Sequence, residues 1–238
     1  FKMSLIIALY LGEGIVMASD SRTTYNSTIT NPDGSTVCDH GVHFSDSTYK
    51  TFLTNKGVGI STCGQASITN KPIAGFIEDF ISQHQNDDIE TIKDEIVPYF
   101  KHLDPNIDTH FIIGGYHLTD GGKYEQKLYR ILTLTNEIIP LDTTIQGAIW
   151  DGEIDILGRI LTPVHISSSS TYVPMAQFNV PFNHFTLQDA IDFAKYAIQA
   201  TIDTMKFQER VKTVGGAVDI LIIKPDNAFW ITRKELHK

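Results

Sequence analysis

Basic residues are scarce in this chain of 238 residues: 19 Lys and Arg stand against 28 Asp and Glu, for a formal net charge of −9. A protein that grips nucleic acid by its phosphates needs basic patches, so nucleic acid is not expected as a partner. The few cations are scattered, which leaves no polybasic surface for anionic lipid. Cysteine is nearly absent. Two residues, Cys38 and Cys63, cannot build a disulfide framework, and a reducing compartment is the simpler reading. No run reaches the ~18 apolar residues of a membrane span. Lys2 and "LIIALYL" imitate the start of a signal peptide, but "GEG" at 12–14 then puts a carboxylate inside the apolar run. The expectation is a cytoplasmic protein with no membrane partner. No linker, charge block or repeat divides the sequence, so residues 1–238 read as a single domain.

A hydrophobic content of 42% is sufficient for a large core at this length. "LIIALYL" (5–11) and "GIVMASD" (14–20), separated by Gly12-Glu13, read as a β-hairpin. "TYKTFLT" (48–54) and "VGISTC" (58–63) read as a second one around Asn55-Lys56-Gly57. Between them, Thr23 to Asp46 is polar, with "NPDGS" as a turn. Ile73, Phe76, Ile77, Phe80 and Ile81 recur at helical spacing, and a second helix is expected near 88–102. Strands follow near 109–116, 126–134 and 143–149, then a short helix over "EIDILGRIL" and an irregular stretch at 163–185. Thr186 and Asp189 form a variant capping box for a long helix with the apolar stripe Ile191, Ala194, Ile198, Ile202 and Met205. Strands at 217–224 and 228–232 close the chain. Strands apolar on both faces, with helices segregated into two pairs, predict an α+β fold. Its expected form is a four-layer αββα sandwich of two packed, mostly antiparallel sheets covered on both outer sides.

Strand parity singles out two charges. Asp20 alternates with Val16 and Ala18, and Lys50 with Phe52. A charge that shares a face with apolar neighbours is costly unless paired. A three-residue Gly-Glu-Gly connection, favoured because both flanking glycines suit a bulged turn, sets Leu11 opposite Ile15 and Ile6 opposite Asp20, with Ser4 on the same face one step along. A two-residue connection would put Ser4 and Asp20 on opposite faces. In the second hairpin Lys50 falls opposite Thr62, and Gly64 lies near the Lys50 end. A glycine there lets a substrate approach a backbone N–H. The plainer alternative is two surface charges near strand ends and a glycine that ends a strand.

The ordered set of "GIVMASDSRTT", "YKTF", "STCGQAS" and "VGGAVDILIIKPD" resembles the N-terminal nucleophile hydrolases. Within them it resembles the proteasome β-subunit family, with the bacterial HslV-type peptidase and Anbu-type proteasome homologue most alike. The resemblance implies that Ser4, once Met3 is removed, is both nucleophile and, through its α-amine, general base. Such an amine has a reference pKa of about 7.7–8.0, suited to base work at neutral pH. Lys50 then stabilises the alkoxide, Asp20 holds Lys50 charged, and the Gly64 N–H receives the oxyanion. Arg22 and Thr213 are implied as supporting residues. No cofactor or metal is implied. The partners implied are peptide or unfolded-protein substrates and further copies in a homo-oligomeric ring, with an ATPase unfoldase left open.

Several positions depart from the family pattern. The nucleophile is Ser where the family mostly has Thr, and Phe1 and Lys2 precede Met3. The segment between Asp20 and Lys50 is lengthened. The Asp and Ser usual before the closing Gly-Gly are replaced by Glu209 and Thr213 at best, and the helper Ser–Gly by Gln146-Gly147. Two alternatives stay open: a small-amide hydrolase of the same fold, and a non-catalytic subunit. Cys38, His40 and His43 loosely imitate metal ligands, but without a second cluster they read as a polar loop.

Overall fold

The computed structural model describes residues 3–235; Phe1 and Lys2 lie outside them. Strands β1 (Leu5–Leu11) and β2 (Gly14–Ser19) form the first hairpin, with Leu11 facing Gly14 and Ile6 facing Ser19. The connection is therefore the two residues Gly12-Glu13, one residue tighter than expected. Gly14 is not available to the turn because it is already part of the sheet. A Cβ on it would meet the Ile223 carbonyl oxygen at 2.8 Å, so the glycine serves close strand approach.

The expected polar loop is a ribbon of β3 (Thr23–Thr30) and β4 (Thr36–Ser45) turning at "NPDGS". A ribbon exposed over much of its length need not alternate apolar and polar residues, so periodicity did not reveal it. The second hairpin follows as β5 (Thr51–Leu53) and β6 (Gly59–Gly64), in the expected register with Thr51 opposite Ser61. Two short strands, β7 (Ser67–Ile68) and β8 (Lys71–Pro72), lead into α1 (Ile73–His84) and α2 (Ile89–Leu103). Next come β9 (Thr109–Leu118), β10 (Tyr124–Leu132), β11 (Glu137–Pro140) and β12 (Gly147–Gly152). Helix α3 (Asp155–Leu161) precedes a small exposed ribbon, β13 (His165–Ser168) and β14 (Thr171–Pro174), in the stretch read as irregular. Helix α4 (Leu187–Lys206) starts on the expected capping box of Thr186 and Asp189. Strands β15 (Asp219–Ile223) and β16 (Ala228–Thr232) complete the chain.

The strands build two five-stranded antiparallel sheets, β12-β1-β2-β15-β16 and β11-β10-β9-β6-β5. Burial explains why β1 and β2 are apolar throughout. Leu5, Ile7, Leu9, Val16 and Ala18 pack with Ala194, Ile198 and Met205 of α4 and Leu157 of α3. Their alternates Ile6, Ala8, Ile15 and Met17 join Ile112 and Leu128 of the second sheet. On that sheet Ile60, Phe111, Ile113 and Ile131 pack with Ile77 and Phe80 of α1 and Ile96 and Phe100 of α2. The fold is thus mixed α and β, with antiparallel sheets and four α-helices among the described residues.

Candidate active site

The site forms where the first strands of the two sheets meet. Ser4 immediately precedes β1 and is buried, with a backbone φ of 76°, in the left-handed region that non-glycine residues rarely adopt. Two segments hold it there. Its N–H donates to the Thr213 carbonyl at 3.4 Å, and its own carbonyl accepts the Glu153 N–H at 2.7 Å. The second contact requires close approach of β12, since a Cβ on Gly152 would lie 2.1 Å from the Ser4 oxygen. Gly152, at φ 96°, is therefore a backbone requirement of the Ser4 conformation.

Asp20 follows β2 and is fully buried. One carboxylate oxygen accepts the Leu5 N–H at 3.0 Å and the Lys50 ammonium at 2.8 Å. The other accepts the N–H groups of Arg22 and Gly215, each at 3.0 Å. Lys50, also buried, donates in addition to the Arg22 carbonyl. Burial pushes the Lys50 ammonium below its ordinary pKa, against the charge and hydrogen bond of Asp20, which favour the protonated form. Alternation along β5 is not what pairs these two charges. Phe52 faces the α1–α2 cluster, whereas Lys50 lies ahead of β5 and reaches across to Asp20 of the other sheet. The shift of register does not separate the groups, because the Asp20 N–H pairs with the Leu5 carbonyl, directly beside Ser4.

Ser4, Lys50 and Gly64 line one small pocket of about 20 Å³, together with Met3, Thr62 and Cys63. Gly64 has φ 104°, and a Cβ there would meet the Asp108 carbonyl oxygen at 2.7 Å. Its identity is thus dictated by backbone geometry, whatever its part in chemistry. Arg22 does not reach the pocket. Its guanidinium grips Asp46 through two bonds of 2.6 and 2.7 Å, lies over the Phe44 ring and donates to the Lys212 carbonyl. Thr213 holds Ser4 through its carbonyl while its hydroxyl donates to Glu153 at 3.0 Å, and Glu153 also pairs with Arg210 at 2.8 Å.

Two expected substitutes for the family's helper residues are not at the site. Gln146-Gly147 lies at the far end of β12, where Gly147 faces Tyr10, while the residues beside Ser4 are Gly152 and Glu153. Glu209 is exposed, and Glu153 is the carboxylate near Thr213. No signal in the sequence marked Glu153, because a single acid after a glycine has no distinctive spacing. The Cys38–His43 stretch lies on β4, where His43 stacks on Tyr25.

No family model matches this chain, and no curated protein matches it. Solved structures do. A Gly-1 mutant of Anbu from Hyphomicrobium sp. strain MC1 matches with a TM-score of 0.58 at 15% identity, over 96% of this chain and 87% of that one. Anbu from the same strain in another crystal form matches with a TM-score of 0.57 at 16% identity, over 97% and 88%. Anbu from Yersinia bercovieri, described as an ancestral beta-subunit, matches with a TM-score of 0.54 at 14% identity, over 96% and 87%. At such identity these likenesses speak for the fold alone, and over nearly its whole length the chain has the fold of Anbu.

Proposed function

We propose that this chain is a peptidase subunit of a proteasome-like homo-oligomer, built as the four-layer αββα sandwich of the N-terminal nucleophile hydrolases. The observation that carries the reading is the meeting of Ser4, the Lys50–Asp20 pair and Gly64 at one pocket. Removal of the residues ahead of Ser4 creates a primary amine beside its hydroxyl. The hydroxyl attacks a peptide carbonyl, and the amine, held by the Thr213 carbonyl, takes the proton. The Lys50 ammonium stabilises the alkoxide, Asp20 orients Lys50, and the Gly64 N–H receives the oxyanion. The proton then passes from the ammonium of Ser4 to the leaving amine, and water enters by the same route to release the acyl group.

The test compares four chains on one fluorogenic peptide: one beginning with Phe1-Lys2-Met3, one beginning at Ser4, and each with Ser4→Ala. The chain beginning at Ser4 is expected to gain most of the ~10²–10⁴-fold that a general base supplies, and Ser4→Ala to abolish that gain. Equal cleavage by all four would refute the mechanism. A second reading has one observation in its favour. Met3 forms part of the pocket wall, so a subunit that retains Met3 has little room for substrate and serves as a non-catalytic member of the oligomer.

A further inference from the structure

We propose that Cys63, His110 and Asp151 together bind a thiophilic divalent cation of the zinc class, next to the Ser4 pocket, whose wall Cys63 shares. The register of β6 on β9 sets Cys63 directly opposite His110, and β12 brings Asp151 from the other sheet. The thiol sulfur, an imidazole nitrogen and a carboxylate oxygen all lie within 4.8 Å of one another. A tetrahedral ion bound at 2.0–2.3 Å needs its ligands about 3.5 Å apart, so the imidazole and carboxylate, now 2.9 Å apart, must open slightly and any wider gap to the thiol must close. The mixture of sulfur, nitrogen and oxygen donors suits zinc and its neighbours and is poor for magnesium or calcium.

The carboxylate is already prepared as a ligand. One Asp151 oxygen accepts the Gly152 N–H at 2.7 Å, and the other meets His110 Nδ1 at 2.9 Å and Arg130 Nε at 2.8 Å. In the bound form the ion takes the place of the proton between His110 and Asp151. The imidazole N–H then moves to Nε2, which lies 3.6 Å from the Asp108 carboxylate. The Cys63 thiol gives its proton to solvent and becomes the thiolate ligand. The charges match a dication: thiolate, Asp151 and Asp108 sum to −3, Arg130 returns +1, and Lys50 is balanced by Asp20. Access runs through a pocket of about 230 Å³ whose walls include Met3, Gly64, Asp108 and His110.

Cys63 immediately precedes Gly64, so an ion held there stands beside the place assigned to the oxyanion and blocks substrate. That consequence rests on the peptidase reading; the binding itself does not. Cobalt(II) is the probe, titrated into the full chain under a phosphine reductant and followed by its thiolate charge-transfer band. The band is expected in the natural chain and in Cys38→Ser, and it should disappear on zinc addition. Cys63→Ser should remove it and His110→Gln should weaken binding about tenfold or more, with circular dichroism checking that each variant folds. Absence of the band, or its loss in Cys38→Ser and survival in Cys63→Ser, overturns the proposal. Should Cys63→Ser fail to fold, Cys38→Ser decides, since Cys63 is then the sole thiol. Zinc should also inhibit peptide hydrolysis by the chain beginning at Ser4, and not by its Cys63→Ser variant. A Cys63-dependent band in a chain that hydrolyses no peptide supports the metal site and counts against the peptidase reading alone.

Discussion

Asp20 is held by four donors, three of them backbone N–H groups from three different segments and the fourth the Lys50 ammonium. Backbone donors orient the carboxylate, and the Lys50 ammonium is the cation paired directly with it among the described residues. Lys50→Ala is therefore expected to do two things at once. It removes the cation beside Ser4 and with it peptide hydrolysis, and it destabilises the fold by ~3–5 kcal/mol by leaving a buried unpaired charge. Denaturant unfolding at neutral pH measures the second effect. Adding Asp20→Asn should recover part of that stability without restoring activity. Stability unchanged in Lys50→Ala would show that the N–H donors alone satisfy Asp20.

At the scale of elements, the β3–β4 ribbon is fastened to the body at its base. Arg22 and Asp46 flank its two strands and join through paired hydrogen bonds, while the same guanidinium reaches the Lys212 carbonyl ahead of β15. The hydrogen bond from Arg22 holds the Asp46 carboxyl below its usual range. A carboxylate with a folded pKa lower than its unfolded one contributes stability that is complete above about pH 4 and is lost as pH falls through the depressed value. Asp46→Asn should accordingly lower the urea midpoint near neutrality, and the gap from the natural chain should close on acidification. Because the pair is partly exposed, the gap should also shrink in high salt. A gap that is constant from neutral to acid pH would contradict this assignment.

At the scale of the molecule, the β3–β4 and β13–β14 ribbons both carry exposed apolar side chains. Ile29, Val37, Val42 and Phe44 of β3 and β4 are each at least half exposed, as are Ile166, Tyr172 and Val173 of β13 and β14. A two-stranded ribbon is marginal on its own and gains stability when such side chains are covered. In the homo-oligomer proposed above, a second copy of this chain would be expected to cover the β3–β4 ribbon. Light scattering at micromolar concentration should report a species several times 26.6 kDa, and Val37→Asp, at the Ile29–Val37 cross-strand pair, should shift it toward the monomer while leaving the protomer folded. A 26.6 kDa species alone would instead favour an isolated small-amide hydrolase.

By itself the sequence determined what depends on neighbours along the chain. The capping box of α4, the apolar stripe beneath it and the Lys50–Thr62 register of the second hairpin were all legible, because each is set by local spacing and turn chemistry. Strand parity and hairpin register drew attention to Asp20, Lys50, Ser4 and Gly64, and the ordered resemblance of four separated stretches gave them roles. Their meeting depends on contact between the two sheets, which no local pattern encodes. Tertiary structure alone decided the rest. It claimed Gly14 for the approach of β15 and so tightened the first turn, and it made a ribbon of a polar stretch with no apolar period. It also brought Gly152 and Glu153 to Ser4 from about 150 residues down the chain, and Asp151 to Cys63 from about 90. Those contacts are fixed by backbone approach between strands distant in sequence, where the decisive quantity is the space around an atom rather than the identity of its neighbours in the chain.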